Sequence, residues 1–265
     1  MEGNPHLDDE KELTHLLAPL HWVAWQYHPV VESTNDIALG WAKKDAPDWG
    51  LVIADQQTAG RGRGDRRWVT RPGSALAISL VMRPSPRERQ MLPRFTALAA
   101  LGLVEVLGDL GLQAEIKWPN DVLLDGKKAA GVLVETEWRG DDLAALVVGL
   151  GVNVLPESLP AADQLRSPAI SVAQALGKPV DRWALLVELV GAMKALRPSL
   201  TLDDFVLAWN KHLAFRGEVK SITLPGGIVE DCKIIGITPE GALRVRDCRG
   251  GQVEMVSGEI EMGSS

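Results

Sequence analysis

The sequence predicts an α+β fold, with strands and helices sharing one large unit and a small all-β barrel behind it. Three observations carry that prediction. Apolar strand-like runs and helical periods intermix from the "HWVAWQYHPV" stretch to "LDDFVLAWNKHL". Beyond them, short β-rich runs alternate with glycine and proline turns, the pattern of a barrel of about 50 residues. Hydrophobic residues make up 46% of the 265, enough to fill a core.

The elements follow in order. Residues 1–20 form a polar lead with room for one short helix, residues 21–213 the large unit, and residues 214–265 the barrel. "HWVAWQYHPV" reads as a strand and "STNDIALGWAKK" as a helix capped by Ser33 or Thr34. "GLVIADQQ" and "SALAISLVM" are apolar strands, the second ended by Pro84 and Pro86. "PRFTALAALGLVEVLGDLGL" is apolar nearly all round and closes at Gly111, which predicts a buried helix. Three or four strands follow between Ala114 and Val154, with Asp125-Gly126 as a hairpin turn. "LPESLPAADQLRSP" is a loop by its prolines, and "DRWALLVELVGAMKAL" and "LDDFVLAWNKHL" read as amphipathic helices. The barrel strands are "GEVKSITL", "IVEDCKIIGIT", "GALRVRD" and "GQVEMVSG".

Charge and cysteine content narrow the function. A net charge of -7 opposes a general nucleic-acid binder but leaves room for a local cationic pocket. Cys232 and Cys248 form no CxxC pair, and no Cys/His cluster has zinc spacing, so no protein-held metal and a reduced, cytoplasmic chain are expected. The acidic N-terminus lacks signal-peptide order, and no run of 18 apolar residues exists.

Residues 57–68, "QTAGRGRGDRRW", place four arginines and three glycines in twelve positions. The segment has no P-loop string, and Asp65 stands where a dinucleotide fingerprint needs its third glycine. What remains is a flexible guanidinium-rich loop, able to fold over a small anion and exclude water. A solvated turn paired with surface carboxylates fits the same residues. In "KWPNDVLLDGKKAAGVLVE", Pro119 turns Trp118 away from helix and sets Lys117 at a strand end, as a point charge for a phosphate or as a surface lysine. Gly149 and Gly151 interrupt the apolar "GLGVNV", where a ligand or backbone comes close, and Asn153 adds an amide.

Taken with "ESTND" and the C-terminal β segment, these strings resemble biotin protein ligases, over about residues 22–261 and in the family's order. The resemblance implies a mixed sheet with flanking helices of the class II aminoacyl-tRNA synthetase type, followed by an SH3-like β-barrel. It is to the monofunctional type, which lacks an N-terminal DNA-binding module. It also implies the reaction. Biotin's carboxylate attacks the α-phosphate of ATP with Mg²⁺ present, pyrophosphate leaves, and a lysine of a biotin carboxyl carrier protein then displaces AMP from biotinyl-5'-AMP. By motif match, Ser33, Thr34 and Asn35 bind the ureido ring, although helix capping is open to the same residues, and Gln57 contacts biotin. Arg61, Gly62 and Arg63 touch biotin and the adenylate phosphate, and Lys117 is the main electrostatic catalyst, with Arg63 as gate. Gly149 and Gly151 floor the biotin pocket and Asn153 faces the nucleotide. The family's loop commonly carries glycine where Asp65 stands, so Asp65 is expected to pair with Arg66 or Arg67 and stiffen the loop. Partners are the carrier protein, with no DNA and no membrane, and the chain is a monomer or a homodimer, the apolar "DLAALVVGLGV" serving as sheet-edge interface or as core. A lipoate or octanoate ligase of related fold, a non-catalytic biotin sensor and an RNA binder are the rival readings.

Overall fold

The computed structural model describes residues 5–64, 66–68, 70–161, 165, 167–223 and 227–262, with side chains from residue 9 onward. A seven-stranded sheet runs in the order β1-β2-β3-β7-β6-β5-β4. Its strands are β1 (Trp25–Val31), β2 (Gly50–Gln57), β3 (Ala75–Met82), β4 (Ala114–Lys117), β5 (Asp121–Leu124), β6 (Lys127–Arg139) and β7 (Asp142–Asn153). The β1/β2 pair is parallel and every other pairing is antiparallel, so the sheet is mixed. A parallel pair needs a crossover, and helix α2 (Thr34–Lys43) supplies it. Asp125 and Gly126, both at positive φ, close the β5/β6 hairpin as the Asp-Gly signal predicted. The "DLAALVVGLGV" run is strand β7, held between β3 and β6, so it is sheet interior and not an edge.

The two faces of this sheet differ because side chains alternate along a strand. On one face, Leu76, Ile78 and Leu80 of β3 and Val148, Leu150 and Val152 of β7 join the main core under helices α3 (Pro93–Asp109) and α5 (Arg182–Leu196). Helix α1 (Pro5–Leu17) docks on the same core through Leu13 and Leu17. Asp9 fastens it, accepting from Tyr27 Oη at 3.0 Å and Trp183 Nε1 at 3.0 Å. On the other face, α2 packs Ala38 and Ala42 on Val52, Val81 and Val147. That helix covers only part of the face. The remainder carries Ser79, Gly131, Gly149 and Gly151, and there the sheet can be approached closely.

Two short elements escaped the sequence reading. Helix α4 (Val172–Leu176) is announced by a capping box between Ser171 and Gln174 and by Gly177 in the left-handed region. Helix α6 (Asp203–Lys211) leads to a five-stranded antiparallel sheet in the order β11-β10-β9-β8-β12. Its strands are β8 (Val219–Thr223), β9 (Val229–Ile237), β10 (Leu243–Arg246), β11 (Gln252–Met255) and the unforeseen β12 (Glu259–Ile260). This small β unit is bolted to the larger one. The buried Arg94 guanidinium donates to Pro239 O at 2.7 Å and Leu200 O at 2.7 Å, and Trp118 Nε1 donates to Gly241 O at 3.1 Å. Cys232 and Cys248 are both free, and among the described residues no helix is long and apolar enough to cross a membrane.

Candidate active site

The arginine-glycine segment, read as a flexible loop, folds as a small hairpin. Trp68 N donates to Gly60 O at 2.8 Å and Gly62 N to Arg66 O at 2.7 Å, with Gly64 at the tip at φ 62°. Thr70 Oγ1 clamps its root, taking Gln57 N at 2.6 Å. Asp65, expected to stiffen this segment, lies outside the described residues.

Two adjoining cavities lie under the hairpin, and Arg66, Arg67, Trp68 and Lys128 line both. The narrower, of about 100 Å³, is lined by nine residues singled out in the sequence: Ser33, Thr34, Asn35, Gln57, Arg61, Gly62, Arg63, Gly149 and Gly151. Lys117 and Asn153 line the wider one, of about 640 Å³.

The narrow cavity ends in a polar cluster. Gln57 Oε1 accepts from Thr34 N at 2.8 Å and from Thr34 Oγ1 at 3.0 Å. Ser79 Oγ lies 2.7 Å from Thr34 Oγ1 and 2.6 Å from Asn35 Oδ1. Asn35 Nδ2 donates to Glu135 Oε2 at 2.7 Å. Ser33 is the N-cap of α2 by backbone geometry, yet its hydroxyl makes no cap bond, so capping does not consume that side chain. The glycines matter through close approach. A Cβ at 149 would fall 2.1 Å from Asn35 Oδ1, and one at 151 would fall 2.2 Å from the Trp68 indole. Arg61 lines the slot while its guanidinium is engaged by protein carboxylates: Glu135 at 2.9 and 2.8 Å and Asp36 at 2.6 Å.

The wider cavity is a cation cluster threaded with carboxylates. Lys117, 3% exposed, stands 3.4 Å from Asp121 Oδ2 and 3.5 Å from Glu259 Oε1. Burial holds its ammonium below the ordinary lysine value; Asp121 pulls it back up, while Lys128 and Arg66 push it further down. Lys128 Nζ lies 2.6 Å from Asp121 Oδ1, and Arg66 pairs bidentately with Glu259. Arg63, half-buried, has its value lowered first by burial and then by Arg66, and reaches Gly258 O at 3.5 Å. Asn153 Nδ2 donates to Lys128 O at 3.4 Å and Ile170 O at 3.5 Å, so its amide is tied to backbone. Ser79, Lys128, Glu135, Glu259 and the half-buried Trp68, whose buried Nε1 has no partner among the described residues, were not singled out from sequence. Strand alternation could have flagged Ser79 and Glu135. No local signal could place Glu259, which arrives from the far end of the chain.

Comparison with known proteins fits this geometry. Residues 27–153 match the model of the biotin/lipoate A/B protein ligase family. The bifunctional ligase/repressor BirA of Bacillus subtilis is 34% identical over 242 residues, covering 89% of this chain and 73% of that one. The biotin--[acetyl-CoA-carboxylase] ligase of Paracoccus denitrificans is 36% identical over 211 residues, covering 76% of this chain and 86% of that one. The biotin protein ligase of Aquifex aeolicus, solved in complex with biotin and ATP, superposes with a TM-score of 0.76 at 26% identity, covering 90% of this chain and 97% of that one. The chain belongs to the biotin/lipoate A/B protein ligase family, among its biotin protein ligases.

Proposed function

We propose that this chain is an ATP-dependent biotin protein ligase that forms biotinyl-5'-AMP and passes biotin to a lysine of a carrier domain. The observation that carries the reading is the pair of joined cavities. A polar-ended slot adjoins a cation-lined cavity that holds the buried Lys117, under one hairpin. Biotin's ureido ring is an amide-like group with donors and an acceptor, and it matches the Ser33, Thr34, Asn35 and Gln57 end. A dithiolane or an alkyl chain could not use the hydrogen-bonding capacity this end keeps spare, the Ser33 hydroxyl and the second Asn35 Oδ1 lone pair among it, which disfavours such ligands. Lipoate and octanoate are therefore the disfavoured substrates.

The chemistry then falls to the wider cavity. The carboxylate oxygen attacks the α-phosphorus, the bond to pyrophosphate breaks, and negative charge develops on phosphate oxygens. The buried Lys117 is placed to neutralise it, with Arg63 and Lys128 nearby. ATP enters as its Mg²⁺ complex. Asp121, Glu259 and Glu261 are the carboxylates that line this cavity and could hold the ion, which would neutralise charge on the triphosphate. Asn153 and the Trp68 ring line the cavity where the nucleotide would lie. In the second step a deprotonated carrier lysine attacks the carbonyl carbon, the C–O bond to AMP breaks, and the amine's proton passes to solvent.

We read residues 21–213 as the catalytic domain and 214–265 as an SH3-like barrel, in a cytoplasmic enzyme. Incubation of a biotin carboxyl carrier domain with the protein, ATP, Mg²⁺ and each acid in turn tests the substrate. A mass gain with biotin alone is expected. A gain with lipoate or octanoate in place of biotin would overturn the assignment, and biotin binding with no gain from any acid would favour a sensor.

A further inference from the structure

We propose that Glu135 is a positioning residue that couples the ureido end of the slot to the arginine hairpin; this rests on the biotin ligase reading. Glu135 lies on β6, two residues beyond Leu133, the residue paired with Gly149, so its carboxylate stands on the open face beside the first turn of α2. There it meets two partners from different segments. Oε2 accepts from Asn35 Nδ2, and both oxygens accept from the Arg61 guanidinium.

The consequence for Asn35 follows from donor and acceptor counting. An ionised carboxylate only accepts, so Asn35 must turn its NH₂ toward Glu135. Both NH₂ hydrogens are then used, one on Glu135 at 2.7 Å and one on Leu133 O at 3.4 Å. Oδ1 takes the Ser79 hydroxyl and keeps a second lone pair, directly over Gly149. Glu135 thereby sets Asn35 as an acceptor, the partner a ureido N–H requires. Without that charge the amide is free to flip and present a donor. The same carboxylate holds Arg61 at the base of the hairpin, where Asp36 shares the load. One side chain thus links slot polarity to hairpin position.

Glu135→Gln keeps the shape and removes the charge, and Asp36→Asn loosens Arg61 without touching Asn35. Both are assayed beside wild type for biotinyl-5'-AMP formation without carrier, measuring KM for biotin, kcat, and the fraction of adenylate released into solution. Glu135→Gln should raise KM by about tenfold, leave kcat within about twofold, and increase release. Asp36→Asn should increase release with KM unchanged. Wild-type KM and release in Glu135→Gln would overturn the role, as would a kcat loss at constant KM or an equal KM rise in Asp36→Asn. Asp36 lies half exposed on the α2 surface, so its variant keeps the test open if Glu135→Gln folds poorly. Absence of adenylate from wild type would sink the ligase reading and this inference with it, whereas wild-type adenylate with unaltered variants would sink the inference alone.

Discussion

Lys117 is a cation taken almost wholly out of water, and its two carboxylate neighbours hold it at 3.4 and 3.5 Å, too long for tight pairing. Such a charge is poised for a stronger anion. Lys117→Ala should cost adenylate formation about 10²-fold or more, because it removes charge from a desolvated site. The pH dependence has a definite sign. Burial lowers the Lys117 value, so the cation is lost at a lower pH than for a free lysine, and the rate it supports falls as pH rises through that point. Lys117→Arg should abolish this alkaline limb in a pH profile of kcat/KM; a limb unchanged in that variant would assign it to another group. Arg63 contributes at the mouth of the site. Arg63→Gly should release adenylate and scatter biotin onto bystander lysines, seen by mass spectrometry of an added inert protein.

At the scale of elements, the glycine-rich strand ends and the hairpin form one machine. Gly151→Ala would push a methyl into the Trp68 indole, so the hairpin must lift. We expect weaker biotin binding by calorimetry, and wild-type affinity would show that Trp68 yields freely. Much of this was legible. Periodicity located β2, β3 and α3, because their apolar runs are long and bounded by turn residues. The hairpin was read as a flexible loop, since Gly-Arg repeats carry no strand signal and its two short backbone bonds depend on Gly60 and Trp68 meeting. Helix α4 is short enough that only its Ser171–Gln174 capping box betrays it. The nine residues of the narrow slot sit in three short strings, so a motif could find them. Glu135, at the very end of a quoted string, acts through Asn35 and Arg61, a role visible only when three segments meet.

Across the whole molecule, the C-terminal sheet completes the site, bringing Glu259 to Lys117 and Arg66 and fixing Trp118, the neighbour of Lys117, through Gly241 O. Sequence order hid this, since about 140 positions separate Lys117 from Glu259. Arg94 is the bolt. It is buried at 2% exposure and donates to the backbone carbonyls of Leu200, Leu202 and Pro239. Arg94→Met would strip those carbonyls of their donor and should cost about 2–4 kcal/mol of stability in urea unfolding. A loss below about 0.5 kcal/mol would show that the two units hold together without it. The most direct test of the account as a whole needs no carrier. Purified protein is mixed with ATP, Mg²⁺ and biotin, with lipoate and octanoate in parallel, and the products are read by mass spectrometry. Biotinyl-5'-AMP from the biotin tube alone is the predicted result; an adenylate only from lipoate or octanoate, or none at all, would contradict it.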